Sequence, residues 1–395
     1  MKIFLLASSF PDKSNPMSGI FNFRFVKQMS ELGEDVDVVF FRMWSPRRKI
    51  ISSYFYDDIK VTQVCLPQIP FRTSATIKFN NFICRILGWF LLRENLKSSD
   101  IIHSVSLSTS GNIAEYWAKK LCIPHVGQAI GSDVNSDIIL MGKKYFDWIK
   151  NIDGIITNSY DLQKSLQTYF PEKAAIETIY RGIQVNELEA NGNKVIKGTA
   201  FLYLGGLGNK TLPCGINTKG GITLMEAWGQ AEKELQSLDA TLYFGGPDSD
   251  DEIFDEWKKN LKFPEKIQLI GKLDPSGVKN YLRKADVVVI PSMQEGLPNV
   301  LTESCASGKP AIGSTAGGIS EVIVDGETGY IFEKGNAEQL KELLIRSANN
   351  PEQNKIMGRK AYERVKASFN SDSYSQKILS FYKKIINSKK MNKEE

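Results

Sequence analysis

The sequence predicts an α/β protein made of two consecutive doubly wound domains. Three observations predict it. Short runs rich in β-branched residues alternate with helix-period stretches along most of the chain. The alternation lapses once, around 187–199, in the stretch Glu-Leu-Glu-Ala-Asn-Gly-Asn-Lys. It then restarts as a second series of the same kind. Such alternation builds a parallel sheet with helices on both faces.

Taken in order, residues 1–10 read as a buried strand. From Gly19 to Leu32, apolar residues at Phe21, Phe25, Met29 and Leu32 suit a helix, and Gly33 suits its stop. Val36 to Phe41 is the next strand, which makes the opening of a βαβ unit. Ile59–Cys65, Asp100–His103, His125–Ala129 and Gly154–Thr157 continue a first domain, residues 1–187. Thr199–Leu204, Ala240–Gly245, Ile267–Ile270, Val287–Ile290, Pro310–Gly313 and Tyr330–Phe332 supply a second, residues 188–372. A final helix, around 373–387, precedes a polar tail expected to fray. Ligands of open α/β sheets sit at the carboxyl ends of the strands, so two such domains in tandem suggest a cleft between them.

Composition narrows the function. The chain has 395 residues, 42% hydrophobic and 24% charged, which are globular proportions. No apolar run reaches the length of a membrane span. The run Ile3 to Leu6 is too short for a signal-peptide core. The five cysteines are scattered, with no CxxC pair, so neither a disulfide framework nor a zinc site is expected. A reducing cytoplasm is the expected home. A net charge of +5 is too small to point to nucleic acid, and none is expected as a partner. There is no Gly-x-Ser-x-Gly elbow, Walker A pattern or HExxH. Asp35-Val-Asp37 and Asp248-Ser-Asp250 have the form of a DxD metal motif. The first lies in a strand and the second reads as a loop, so neither is taken as a metal site.

The richest stretch is Pro291-Ser-Met-Gln-Glu-Gly-Leu-Pro-Asn-Val-Leu-Thr-Glu303. Pro298 can occupy the first turn of a helix that follows the strand ending at Ile290 and stops at Gly308. Glu295 then lies in the loop and Glu303 in the helix. Eight residues at about 1.5 Å each place them at most roughly 12 Å apart. Backbone N–H groups from Leu297 to Val300, with the helix dipole behind them, suit a phosphate. Carboxylates accept well from sugar hydroxyls. The pattern fits a nucleotide sugar. By spacing alone it fits equally a capped helix with one solvated glutamate.

This segment resembles the signature of the retaining family 4 glycosyltransferases, the glycosyl transferases of group 1, which have the GT-B fold. In that family two glutamates separated by seven residues bind the donor, and Glu295 and Glu303 match. The resemblance implies that Glu295 contacts the transferred sugar and Glu303 the ribose, with Gly296, Leu297, Pro298, Asn299 and Val300 between them. The run from Gly313 to Tyr330 is similar to the family's next block. Leu202-Tyr-Leu-Gly-Gly-Leu207 resembles the opening strand of the donor domain, and Lys219-Gly220 the Lys-Gly whose lysine meets the diphosphate. Gly206 stands where the family carries an arginine, and Lys210 or Arg181 could take its place. Read without the family, Lys219 is a solvated loop lysine.

In the N-terminal half, Ser18-Gly19-Ile20 resembles the glycine loop that approaches donor phosphate and acceptor; otherwise Gly19 is a turn glycine. Asp100-Ile-Ile-His103 and Gly131-Ser-Asp133 resemble strand-end motifs of the family, with Ile130 in place of a histidine. They make His103 and Asp133 candidates on the acceptor side, and Asp133, Glu295 and Lys219 the catalytic candidates. A structural His103 is an equal reading, and His125 reads as structural. The region 38–100 holds 10 basic residues, 4 acidic ones and eleven aromatics. Its helix, 75–97, carries Phe79, Phe82, Ile83, Ile86, Leu87, Phe90 and Leu91 as a core-facing stripe, with Lys78, Arg85, Trp89 and Arg93 away from it. It reads either as a packed helix with a solvated face or as a surface for anionic lipid or a lipid-diphosphate acceptor.

The expectation is therefore a retaining, metal-independent glycosyltransferase with no cofactor. It would use a UDP- or GDP-linked sugar as donor and a glycan or lipid-linked intermediate of surface-polysaccharide synthesis as acceptor. It would be cytoplasmic, with a peripheral contact at the inner face of the membrane. The alternatives are an epimerase of the same fold and a non-catalytic subunit that binds sugar nucleotides.

Overall fold

A computed structural model describes the chain except residues 17, 72, 173–174, 184–196, 208–216, 248, 250–251 and 395, and the side chains of 392–394. It divides into two compact units. One comprises Met1–Tyr180 with Ser371–Glu395, the other Arg181–Asn370. The boundaries fall at 180 and 370 rather than at 187 and 372. The reason is local: Ile183 N donates to Phe369 O at 2.8 Å, so the strand entering the second unit lies beside the segment leaving it.

The first unit runs β1 (Lys2–Ala7), α1 (Ile20–Glu31), β2 (Asp35–Met43), β3 (Ile51–Tyr56), β4 (Ile59–Leu66), α2 (Ser74–Lys97), β5 (Ile101–Val105), α3 (Asn112–Leu121), β6 (His125–Ala129), α4 (Ile138–Met141), β7 (Gly154–Thr157), α5 (Tyr160–Tyr169) and β8 (Ile176–Thr178). The sheet order is β3-β4-β2-β1-β5-β6-β7-β8, parallel except for β3. The central strand β1 is buried on both faces, with Ile3, Phe4, Leu5 and Leu6 fully covered, which is why it reads as an unbroken apolar run. Two strands escaped the sequence reading. The edge strand β3 is half-exposed and pairs antiparallel with β4 across the Asp57-Asp58 turn, and β8 has three residues.

The second unit runs β9 (Ala200–Tyr203), α6 (Gly221–Gln230), α7 (Glu232–Ser237), β10 (Thr241–Gly245), α8 (Glu252–Lys259), β11 (Ile267–Gly271), α9 (Pro275–Lys284), β12 (Val287–Ile290), α10 (Asn299–Ala306), β13 (Ala311–Ser314), α11 (Ile319–Val322), β14 (Gly329–Phe332), α12 (Ala337–Asn349) and α13 (Pro351–Ser368). Its sheet is parallel, in the order β11-β10-β9-β12-β13-β14. Strand order reverses between β9 and β12, the kind of switch point at which open sheets take ligands.

The last helix, α14 (Ser371–Glu394), returns to the first unit. Tyr374, Ile378, Phe381, Tyr382 and Ile385 join the core formed by Ile3, Leu5, Phe25 and Met29. Each large apolar side chain so buried contributes about 1.5–3 kcal/mol. The tail expected to fray is helical to Glu394. The helix continues because Lys389 Nζ reaches Asp153 Oδ2 at 2.7 Å and Ile123 O at 3.0 Å.

Helix α2 also departs from expectation. Its buried face is Ile77, Asn81, Cys84, Gly88, Leu92 and Leu96. Phe79, Phe82, Leu87 and Phe90, read as core-facing, are exposed, Phe90 by 66%. A small face seats against the sheet because Gly88 lies under the rings of Phe41 and Trp117, where a Cβ would come within 2.8 Å of both.

Candidate functional site

In the second unit, β9, β12 and β13 end side by side at Tyr203, Ile290 and Ser314. The loops that follow them are tied together. Met293 N and Gln294 N donate to Thr218 O at 2.9 and 3.3 Å, and Gly318 N donates to Gly296 O at 2.7 Å. Ser314 Oγ donates to Ser292 O at 2.6 Å. This network brings Lys219 Nζ to 2.5 Å from Glu295 Oε1, and Ser292 Oγ donates to the same oxygen at 3.1 Å. The Glu295 side chain is 11% exposed and that of Lys219 45%, so the pair is anchored at the carboxylate and open at the ammonium.

Tyr203 lies beneath this pair and was not singled out by sequence. Its buried hydroxyl donates to Gly206 O at 2.7 Å and to Lys219 O at 3.1 Å, joining the glycine loop to the lysine loop. Burial, with Glu295 nearby, pushes its phenol well above the usual range, so it remains a donor. The available signal was a tyrosine at the last strand position before two glycines.

Position 206 is closed to an arginine on this backbone. Gly206 has φ 64°, and a Cβ there would lie 1.7 Å from Pro247 O. Its N–H is spent on Gly245 O at 2.8 Å. Of the suggested substitutes, Lys210 lies outside the described residues, as do Cys214, Asp248 and Asp250. Arg181 opens the second unit and is half-buried. Pro298 precedes α10 instead of occupying its first turn, and it supplies no N–H. Asn299 and Val300 present the first N–H groups of that helix, which have no partner within it. Glu303 is half-buried inside it, and Leu297 is buried just before it.

The first unit treats its candidates differently. Gly19 caps α1 at φ 68°, where a Cβ would lie 2.3 Å from Ser9 O. Asn22 Nδ2 donates to that same carbonyl at 2.8 Å, so the start of α1 clasps the segment after β1. His103 is fully buried, with Nδ1 bonded to Tyr382 OH of α14. Burial holds its imidazole down to about 3, so it stays neutral. It is a core residue and not an acceptor contact. His125 is likewise internal, between Glu115 Oε2 at 2.9 Å and Ser104 Oγ at 2.8 Å.

Asp133 is also fully buried. Its carboxylate accepts from Leu107 N at 2.8 Å, Gly131 N at 2.9 Å, Ile130 N at 3.0 Å and Val134 N at 3.1 Å. Burial pushes its pKa up to about 6 against the pull of those amides. It organises two loops and offers no open oxygen, which corrects its assignment as a catalytic or acceptor-side group. Asp35 and Asp37 start β2, at the end of the sheet away from the ligand edge, and Asp37 Oδ2 accepts from Asn95.

Comparison with known proteins agrees with this architecture. Residues 19–187 match the model of glycosyltransferase family 4, and residues 216–364 that of glycosyl transferases group 1. The chain is 25% identical to the N-acetyl-alpha-D-glucosaminyl L-malate synthase of Bacillus anthracis, over 93% of each chain. It is 24% identical to the putative teichuronic acid biosynthesis glycosyltransferase TuaC of Bacillus subtilis, over 94% of this chain and 95% of that one. Among solved structures, HepE of Anabaena in complex with UDP superposes with a TM-score of 0.68 at 15% identity, over 96% of this chain and 99% of that one. With two family 4 and group 1 segments spanning most of its length on two Rossmann-like sheets, the chain belongs to the group 1 glycosyl transferases of the GT-B fold.

Proposed function

We propose that the chain is a retaining, metal-independent glycosyltransferase that takes its sugar from a nucleotide-diphosphate sugar. The acceptor is the hydroxyl of a lipid-linked glycan intermediate of surface-polysaccharide synthesis, met at the inner face of the membrane. The observation that carries this reading is the Lys219–Glu295 pair, held at the carboxyl ends of β9 and β12 by three tied loops. Donor binding redistributes that pair. The diphosphate takes the Lys219 ammonium together with the first N–H groups of α10, and Glu295 turns to the hydroxyls of the sugar. Glu303, farther along α10, accepts from the ribose.

The acceptor oxygen attacks the anomeric carbon on the face from which the diphosphate departs. The C–O bond to the diphosphate breaks as the new glycosidic bond forms, and the hydroxyl proton passes to the departing phosphate oxygen. The products are a glycoside of unchanged anomeric configuration and a nucleoside diphosphate. Positive charge from Lys219 and the helix amides stabilises the leaving group. Sealing of Asp133 behind backbone amides supports a route without a carboxylate nucleophile from that loop. HepE structures hold UDP and UDP-glucose, and the TuaC name refers to teichuronic acid synthesis, which supports the donor and acceptor classes. The exposed aromatics of α2, with Lys78 and Arg93 exposed on the same helix, support the membrane contact.

The test is a thermal-shift and hydrolysis screen with UDP- and GDP-sugars, with and without EDTA, on the wild type and Glu295→Ala. Stabilisation by one donor, unmoved by EDTA, with slow hydrolysis lost in the variant, is expected. Stabilisation abolished by EDTA would remove the metal-independent part, and an inverted product anomer the retaining part. No shift with any sugar nucleotide would overturn the donor assignment.

A further inference from the structure

The sheet of the first unit ends in a strand with an open side. β3 lies at one end of the strand order and, among the described residues, pairs only with β4. A bare edge presents a row of unpaired N–H and C=O groups. Soluble proteins blunt it with charge, proline, a bulge or a very short strand. β8, at the other end of this sheet, has three residues. β3 has six, Ile-Ser-Ser-Tyr-Phe-Tyr, without a charge, a proline or a glycine. Its register with β4 runs unbroken from Ile51 against Val64 to Tyr56 against Ile59, so no bulge turns it away either.

That register fixes what the open side presents. Cys65 N donates to Ile50 O at 2.7 Å, so position 50 bonds toward β4, and by alternation so do 52, 54 and 56. The backbone groups of Ile51, Ser53 and Phe55 therefore point outward. The same three side chains share the solvent face of the strand, with Phe55 69% exposed. The other face is occupied. Tyr54 OH donates to Pro11 O at 2.9 Å, and the ring of Tyr56 packs edge-on against Phe23. The two ends of the strand carry opposite charge. Arg47, Arg48 and Lys49 precede it, all exposed, and Asp57 and Asp58 form the exposed turn that follows it.

We propose that β3 pairs with β3 of a second copy of this chain, antiparallel about a twofold axis at Ser53. The register that uses all three outward residues places Ser53 opposite the partner's Ser53 and Ile51 opposite the partner's Phe55. A branched and an aromatic side chain then meet twice on the solvent face, a pairing that stabilises neighbouring strands. Antiparallel pairing also reverses the ends, so the basic run 47–49 of each copy faces the partner's Asp57 and the partner's Asp58. Asp57 meets Lys27 of its own copy at 3.0 Å and stays half-exposed, so it can accept a second cation. A surface that complements itself in this way makes a closed, isologous dimer. The free edge of the second sheet lacks that property. β11 is bounded by Lys266 and Lys272, and self-pairing there would oppose like charges. The inference does not depend on the glycosyltransferase reading.

The test is sedimentation velocity on the full chain from about 1 to 100 μM, where a reversible dimer is expected. Phe55→Lys and Ser53→Pro should each weaken it at least about 10-fold. The first charges an exposed position, and the second removes an outward N–H that β4 does not use. Arg48→Glu with Lys49→Glu should weaken it as well, by setting acid against acid. Circular dichroism melts identify any variant that fails to fold, and Phe55→Lys, which alters an exposed side chain, then decides. Ser53→Cys reads the register. Opposed residues of a bonded pair have Cα atoms about 5.5 Å apart, within disulfide reach, whereas the two copies of position 51 would lie about 14 Å apart. Mild oxidation should cross-link Ser53→Cys above the background set by the exposed Cys122, and Ile51→Cys no more than that background. A chain monomeric throughout the range, a dimer unmoved by Phe55→Lys and by the charge reversal, or equal cross-linking at 51 and 53 would overturn the proposal. A monomer that pellets with phosphatidylglycerol vesicles only while Phe55 is intact would overturn it too, and assign the edge to the membrane.

Discussion

The two sheets present the same kind of edge and use it in opposite ways. At the strand ends of the second unit, a lysine and a glutamate meet in a loop network with the ammonium open to solvent. At those of the first unit, the titratable candidates are turned inward. His103 bonds to Tyr382 of the closing helix, and Asp133 spends its carboxylate on four backbone amides. A motif residue at a strand end is thus not evidence of a site by itself. What separates the cases is whether the group reaches solvent, as Lys219 does and the fully buried His103 and Asp133 do not.

Four changes probe that contrast, from the largest effect to the smallest. Glu295→Ala should lower turnover about 10²- to 10³-fold while changing the melting temperature little, because it removes the group that the proposed function sets against the transferred sugar. Steady-state rates beside a melt check it, and equal turnover would dissolve the distinction between the two edges. Gly206→Arg, which places a charge where the family resemblance implies an arginine, should unfold the second unit or cost several kcal/mol. Its Cβ would lie 1.7 Å from Pro247 O at a positive φ. A stable variant with a lower donor KM would contradict this.

The third change concerns pH. His103 is held neutral in the fold, down to about 3, and regains an ordinary pKa near 6.5 on unfolding. The unfolded state therefore binds the extra proton first. The stability that His103 contributes is present above about pH 6.5 and is lost as pH falls towards 3. In urea titrations, the stability difference between wild type and His103→Gln should shrink by up to about 1.4 kcal/mol per pH unit between about pH 6 and 4. A difference independent of pH would mean that His103 is not sealed away from protons. The smallest effect on stability is expected from Phe82→Ser with Phe90→Ser, within about 0.5 kcal/mol, since both rings are exposed. Co-sedimentation with phosphatidylglycerol vesicles should nevertheless fall sharply. Undiminished sedimentation would move the membrane contact off α2.

Much of this was legible in the sequence. The buried parallel strands were readable because both of their faces are covered, so Ile3–Leu6 and Val287–Ile290 appear as unbroken apolar runs. The Glu295–Glu303 segment was readable because strand, loop, proline and helix follow in a fixed order. The face of α2 was not. Its burial follows Gly88 and Asn81, small or polar groups that a hydrophobic count passes over, while its phenylalanines point outward. Nor was Asp133. Four amides from two loops converge on it only after folding, and no spacing in the chain encodes that. Tyr203 escaped because a buried tyrosine looks like packing until its hydroxyl is seen to bridge two carbonyls.

The return of α14 to the first unit has a consequence for biosynthesis. Emerging from the ribosome, the first unit is made earliest, yet the side chains that cover Gly154 and His103 lie at Phe381 and Tyr382. Its core stays open until the whole of the second unit has been translated. The second unit, continuous from 181 to 370, can close on itself in the meantime. The half of the protein synthesised first is therefore the half completed last, and a ribosome that stalls after residue 370 leaves a finished second unit attached to an unfinished first one.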